Sequence, residues 1–418
     1  MKVPNYIIRV KNEGERRGEI FYNTLTGAKM FVNQNQLSKI KNEKYISQLE
    51  FLKLKGFIVE DNCDEDKIKY KALTKSNPTY NLTLITTYDC NMMCPYCFEE
   101  NNDNVHTYMD ITTAKKIVER IETKIVNDKV EKLNIVFTGG EPFMNFEIIE
   151  YFLMLLKKLL VEYNKIIYNI SIITNGTLLN DYIINTIKEY NLRGIQVTID
   201  GVKSRHDRLR PTKDGTSSFD KIINNIERYA KDIPIAIRTN YHYGEEYTLL
   251  EWIDYLENNF GDYKNNISLK FRNIMDTNNY SYIRNRDSSM SIGKVIQYGF
   301  NKGFNILEGS ICDKCRIHSN NSEYIDYLGE IYRCFMFVGN KSFVIGNINE
   351  PEYNEKKVLF DNLKVWKDCI KCPLVAICAG GCRYEAFVSK GDINKKVCDY
   401  QNRLTGLQDF LKSKYKIS

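Results

Sequence analysis

The chain has 418 residues, 43% of them hydrophobic and 27% charged, which is enough apolar material for two or three cored domains and excludes a disordered chain. A net charge of +6 with both signs interspersed and no long basic block demands no nucleic-acid partner. No apolar h-region follows Met1-Lys2-Val3-Pro4-Asn5-Tyr6, and the most apolar stretch, 148–163, is broken by Glu150, Lys157 and Lys158. Neither a signal peptide nor a membrane span is predicted, so the expected compartment is the cytoplasm. Twelve cysteines in such a chain point to metal rather than to disulfides.

Residues 18–32 alternate in polarity around a turn at Thr26-Gly27 and predict a β-hairpin. Leu37, Ile40, Ile46, Leu49, Phe51 and Leu52 then recur at helical spacing, and Phe57-Ile58-Val59 reads as a short closing strand before the acidic turn 61–66. Hairpin, helices and strand make a small winged-helix-like unit over 1–78, ended by Lys75-Ser76-Asn77-Pro78. It either recognises a partner or caps the next domain.

From 79 to 305 strands and helices alternate. Strands are expected at 82–87, 134–137, 168–173, 194–199, 233–238 and 268–272. One helix is expected after an N-cap at Asp110, with Ile111, Ala114, Ile117, Val118, Ile121 and Ile125 on one face. Another starts near Ser218 with Phe219, Ile222, Ile223 and Ile226. Six such units predict an α/β fold, a partial (β/α)6 TIM-like barrel, with its chemistry at the C-terminal ends of the strands.

The first predicted strand runs into Thr86-Thr87-Tyr88-Asp89-Cys90-Asn91-Met92-Met93-Cys94-Pro95-Tyr96-Cys97-Phe98. Cys90, Cys94 and Cys97, at CxxxCxxC spacing, can hold three corners of a [4Fe-4S] cluster and leave the fourth iron open. A zinc knuckle fits the same spacing taken alone. The second strand ends in Thr138-Gly139-Gly140-Glu141-Pro142, where two glycines permit a close backbone approach. The third ends in Thr174-Asn175-Gly176 and the fourth in Thr198-Ile199-Asp200-Gly201, followed by His206-Asp207-Arg208-Leu209-Arg210-Pro211.

These motifs resemble the radical S-adenosylmethionine (SAM) superfamily, whose signature has an aromatic residue, here Tyr96, before the last cysteine. The resemblance implies that Cys90, Cys94 and Cys97 hold the SAM-binding cluster and that Gly139, Gly140 and Glu141 meet the methionyl amino group. It further implies that Asn175, Thr198 and Asp200 lie at the ribose side, and that Arg210, or else Arg208, pairs with the SAM carboxylate in a bidentate fork. His206 is expected to be a structural hydrogen-bonding residue. Histidines 106, 206, 242 and 318 form no recognisable cluster. Tyr241, His242 and Tyr243 are expected as an aromatic loop wall.

The last hundred residues carry Cys312, Cys315, Gly329 and Cys334, then Cys369, Cys372, Cys378 and Cys382, and finally Cys398. Those eight thiolates match two further [4Fe-4S] clusters, and Cys63 is left over as a plain thiol. The two CxxC pairs also fit a zinc ribbon. The pattern resembles the SPASM domain of radical SAM maturases, here 306–418. By that resemblance Cys312, Cys315, Cys334 and Cys382 hold one auxiliary cluster, and Cys369, Cys372, Cys378 and Cys398 the other.

The resemblance implies three [4Fe-4S] clusters, SAM, a flavodoxin- or ferredoxin-type electron donor, and a ribosomally made precursor peptide whose leader adds a strand to the unit at 1–78. The expected reaction is an oxidative peptide crosslink, foremost a cysteine thioether. The alternatives are carbon–carbon crosslinking or cofactor-precursor processing, and a non-catalytic electron-transfer or peptide scaffold. Sulfatase maturases place an aspartate after the cysteine equivalent to Cys334; here Phe335 stands there. No general base emerges.

Overall fold

The computed structural model describes residues 1–12, 17–41, 46–75, 78–97, 107–274, 280, 290–307, 315–350 and 352–415, without the side chains of 39–41 and 46–49. Cys312, His106, Phe98, Ser76 and Asn77, with the side chains of Ile40, Ile46 and Leu49, therefore lie outside the described residues.

The N-terminal unit is a three-stranded antiparallel sheet of β1 (Ile7–Asn12), β2 (Gly18–Asn23) and β3 (Lys29–Asn33). The predicted hairpin is β2 and β3, closed where Gly27 adopts φ +72°. Strand β1 was not expected, although Ile8 and Val10 are buried between exposed Arg9 and Lys11. Three helices follow: α1 (Gln34–Lys41), α2 (Ile46–Leu54) and α3 (Glu65–Thr74), the last capped by Asp64, which accepts from Lys67 N. Leu37 and Leu52 are buried as expected, but Phe51 is exposed. The expected strand at 57–59 is absent: Val59 alone bridges Lys2, while Phe57 and Ile58 turn into the core beside Phe21 and Leu37.

Among the described residues this unit is seated on the C-terminal region. Ile8, Val10, Ile20 and Tyr22 pack against Leu374, Ile377, Leu407 and Leu411 of the cysteine-rich C-terminal region. Three hydrogen bonds fasten the seam: Thr24 Oγ1 to Pro373 O (2.9 Å), Asn5 Nδ2 to Lys371 O (3.3 Å) and Lys69 Nζ to Ile370 O (2.5 Å).

The barrel sheet takes its strands in chain order. They are β4 (Thr79–Ile85), β5 (Lys132–Thr138), β6 (Ile167–Thr174), β7 (Leu192–Thr198), β8 (Ile235–Tyr241) and β9 (Ile267–Asn273), all parallel. Between them run α4 (Ile111–Asn127), α5 (Phe146–Glu162), α6 (Asp181–Lys188), α7 (Lys203–Leu209), α8 (Phe219–Tyr229) and α9 (Thr248–Phe260). Asp110 caps α4 by accepting from Thr113 N at 2.7 Å. The apolar face predicted for α4 is buried apart from Ile111, which stays exposed beside the cap. Alternation along each strand sends Leu82, Ile135, Ile172, Ile195 and Ile237 outward into the helix layer. Thr83, Val136, Ser171, Gln196, Ala236 and Lys270 face inward around a lumen cavity of about 560 Å³.

After α10 (Ile292–Asn301), β10 (Asn305–Ile306) extends the sheet beyond β9. At the opposite edge β11 (Ser322–Ile325) lies parallel to β4, and β12 (Glu330–Tyr332) and β13 (Gly346–Asn347) continue antiparallel. The C-terminal region thus shares the barrel's sheet. Glu323 on β11 seals the junction: fully buried, it accepts from Arg120 at 2.8 and 3.0 Å, from Tyr80 OH at 2.7 Å and from Tyr353 OH. The chain ends in α11 (Lys356–Asp361), α12 (Val375–Cys378), α13 (Arg383–Lys390) and α14 (Tyr400–Tyr415), whose Leu407 and Leu411 meet the N-terminal sheet.

Candidate functional site

The three-cysteine loop leaves the C-terminal end of β4 and is bonded on three sides. Thr87 Oγ1 donates to Thr107 O at 2.6 Å and accepts from Asp89 N at 2.9 Å, which bends the chain into the loop. Asp89 accepts from Tyr108 OH (2.9 Å) and Lys213 Nζ (3.2 Å). Burial works to raise its carboxyl pKa, but those bonds outweigh it and hold the pKa below the usual value. On the far side Met93 N donates to Pro211 O (2.8 Å) and Lys213 N to Asn91 O (3.0 Å). The segment after α7 is thereby laced to the cysteine loop.

The glycines expected to approach a ligand first approach this loop. Gly139 has φ +136°, and a Cβ there would stand 2.2 Å from Thr87 O; a Cβ on Gly140 would stand 2.3 Å from Asp89 O. Gly140 N donates to Thr87 O (3.0 Å) and Glu141 N to Asp89 O (2.8 Å), so the GGE segment runs alongside the start of the loop. Fully buried Glu141 spends its carboxylate on the protein: it accepts from Thr174 Oγ1 (2.7 Å), Asn175 N (2.7 Å) and Phe143 N (3.2 Å). Burial pushes its pKa up to about 7 against those donors. Asn175 joins the loop through Asn91 Oδ1 (2.7 Å) and Cys90 Sγ (3.8 Å).

Tyr96, Asp200 and Arg210 meet across more than a hundred residues of chain. The Tyr96 hydroxyl donates to Asp200 Oδ2 and accepts from Arg210 Nη1 at 2.9 Å. Asp200, fully buried, also accepts from Asn240 N at 2.8 Å. Thr198 is buried at the end of β7, level with Arg238 on β8. Arg210 is buried, with Nη2 against Met92 Sδ at 3.7 Å and Nε without a partner. Arg208 is exposed. A buried guanidinium with an unused donor beside a cysteine loop fits an anionic ligand such as the SAM carboxylate. His206 is structural: Nδ1 accepts from Asp200 N (3.2 Å) and Nε2 faces Ser218 Oγ (3.0 Å). Burial, with Arg210 and Arg205 nearby, lowers its pKa to about 3, so the ring stays neutral.

The later cysteines fall into two sets. Cys334 lies within electrostatic reach of Cys315 and Cys382, and burial pushes its thiol pKa up. Cys369, Cys372, Cys378 and Cys398 line one cavity of about 310 Å³. Cys378 ends α12 and Cys382 precedes α13; between them Ala379, Gly380 and Gly381 all have positive φ, at +49°, +91° and +97°. That turn parts the two thiols to different sets. A Cβ on Gly381 would stand 2.1 Å from Val397 O. Among the described residues no three His, Cys, Asp or Glu side chains converge on one ion-sized point. Four thiols around a cavity suit a multi-iron cluster. Cys63 is a half-buried free thiol.

Several groups in this constellation carried no sequence signal. Asn91 and Thr177 bond Asn175, and Arg205 and Asn240 bond Asp200, though the motifs single out none of these four. Lys270 and Gln196 carry a sequence signal of their own, since both are long polar side chains at inward positions of parallel strands. Tyr241 and His242 are buried; His242 contacts Glu245 Oε2 (3.2 Å) and Tyr280 OH (2.6 Å), while Tyr243 is exposed. Among the described residues no helix is long and apolar enough to cross a membrane.

The radical SAM superfamily model matches residues 84–256. A radical SAM cyclopropyl synthase, TigE, from Paramaledivibacter caminithermalis is 24% identical, covering 87% of this chain and 83% of its own. A cysteine-type anaerobic sulfatase-maturating enzyme from Clostridium perfringens is 26% identical, covering 70% and 86% respectively. Streptococcus suis SuiB bound to precursor peptide SuiA shares the fold, with TM-score 0.56 and 15% identity over 95% of this chain and 99% of its own. Residues 84–256 of this chain thus form a radical SAM domain.

Proposed function

We propose that this protein is a radical SAM peptide maturase that forms an oxidative crosslink, foremost a cysteine thioether, in a ribosomally made precursor peptide. The observation that carries the reading is Arg210, buried with an unused Nε and laced to the cysteine loop at the strand ends. Cys90, Cys94 and Cys97 would hold the SAM-binding cluster. Gly139, Gly140, Glu141, Asn175, Thr198, Asp200, Tyr96 and Arg210 would shape the SAM site. A SAM-bound [4Fe-4S] cluster supplies a 5'-deoxyadenosyl radical that takes a hydrogen atom from the substrate.

The two later sets, completed by Cys312 on the first, would hold auxiliary clusters that accept the electron released when the new bond closes. A flavodoxin- or ferredoxin-type donor would supply the reducing electron. The leader would add a strand to β3, whose outer edge has no strand partner among the described residues. Carbon–carbon bond formation is the second reading, favoured by the similarity to a cyclopropyl synthase. Phe335 after Cys334 stands against sulfatase maturation. Co-expression with a cysteine-rich peptide from a neighbouring reading frame tests this. Loss of one hydrogen pair per link with a matching loss of alkylatable thiols supports the thioether; the same loss with all thiols free supports the second reading.

A further inference from the structure

The lumen cavity holds a concentration of donors that the SAM and cluster sites do not use. Lys270, on the inward face of β9, reaches diagonally past Ala236 on β8 to donate to Gln196 Oε1 on β7 at 2.9 Å. The small side chain at Ala236 leaves that path open. The amide is thereby turned so that its Nε2, a buried donor, has no hydrogen-bond partner. Arg316 lines the same cavity from the C-terminal region, and Arg238 is level with Lys270 on the neighbouring strand. Burial and then Arg272, Arg238 and Arg316 all disfavour the charged lysine and bring its pKa down to about 8. A half-buried ammonium crowded by cations, beside an unsatisfied amide N–H, lowers its free energy by gaining an anionic acceptor.

We propose that this pocket takes the side-chain carboxylate of an aspartate or glutamate in the peptide substrate, held between Lys270 Nζ and Gln196 Nε2. The proposal rests on the peptide-maturase reading and adds a substrate requirement to it: an acidic residue close to the site of modification. A carboxylate offers two acceptors, one for each donor. The neutral amide of asparagine or glutamine would set its own N–H₂ against a donor and leave the ammonium without a counter-charge.

The test uses the anaerobically reconstituted full-length protein and two probes, N-acetyl-aspartate methylamide and N-acetyl-asparagine methylamide, titrated by ligand-observed NMR with and without saturating SAM. The aspartate probe is expected to bind about tenfold more tightly, about 1.4 kcal/mol. That advantage should persist with SAM bound and vanish in Lys270→Met. Equal binding of the two probes to the unaltered protein would overturn the proposal without recourse to any variant. So would an advantage that survives Lys270→Met, or one that SAM abolishes, since the pocket would then serve the SAM carboxylate. Release of 5'-deoxyadenosine, measured separately, tests the underlying reaction and is independent of the probe ratio.

Discussion

Arg210 donates to the Tyr96 hydroxyl at 2.9 Å, and the same hydroxyl donates to Asp200, so one phenol links the cysteine loop, the end of β7 and the segment after α7. That chain holds the guanidinium in place with Nε still to be satisfied. Arg210→Lys keeps the charge but loses the planar fork, and is expected to weaken SAM binding by about 10- to 100-fold, on the order of 1.5–3 kcal/mol for a charge-assisted bond. Equilibrium dialysis of SAM under argon measures it.

Gly139→Ala places a methyl group 2.2 Å from Thr87 O, a backbone atom that can move only by shifting the cysteine loop. On the proposed three-cluster reading, iron content should fall by about one third, since only the cluster on this loop would be lost. Gly215→Ala also sits at positive φ but has nothing within 4 Å of its Cβ, and should keep its full iron content, which iron analysis of both variants checks.

Cys378 and Cys382 lie four positions apart but face different thiol sets across the Ala379-Gly380-Gly381 turn. On the proposed reading with two auxiliary clusters, Cys378→Ala and Cys382→Ala should each remove a different one and give different spectra by electron paramagnetic resonance. Identical spectra would mean that both residues serve one site.

Glu323 is held ionised. Burial alone would raise its pKa, but the Arg120 bonds and charge bring it down to about 2. Its folded pKa lies below the ordinary 4.5, so its stabilisation is complete above about pH 4.5 and is lost as pH falls towards 2. Glu323→Gln leaves the half-buried Arg120 without its counter-charge and should cost about 3 kcal/mol at pH 7. The difference from the unaltered protein should shrink on acidification below pH 4.5, and thermal unfolding across that range checks the sign.

Local signals were strong enough to read the barrel strands to within a few residues, because β-branched runs and helical apolar spacing recur in alternation. The cysteine spacings marked the thiol groups for the same reason: chelating chemistry constrains short-range sequence. What a sequence cannot display is which partner a polar group finds. The motif around Glu141 gave no sign that its side-chain oxygens accept from Thr174, Asn175 and Phe143. Phe57-Ile58-Val59 had strand composition, but Phe57 and Ile58 are drawn into a core shared by the strand residues Ile7, Phe21 and Val32 and the helix residues Leu37 and Leu52. The N-terminal unit's seat on the C-terminal region depends on Leu374, Ile377, Leu407 and Leu411, more than three hundred residues distant. Deleting 1–78 would expose that apolar surface, so leader binding is better tested at the β3 edge than by truncation.

The most direct test of the central claim is incubation of the dithionite-reduced, fully reconstituted protein with SAM and the co-encoded peptide, followed by chromatography for 5'-deoxyadenosine and intact-mass analysis of the peptide. The account predicts 5'-deoxyadenosine together with a peptide lighter by one hydrogen pair per crosslink. Intact SAM and an unaltered peptide, from protein carrying its full iron complement, would contradict it.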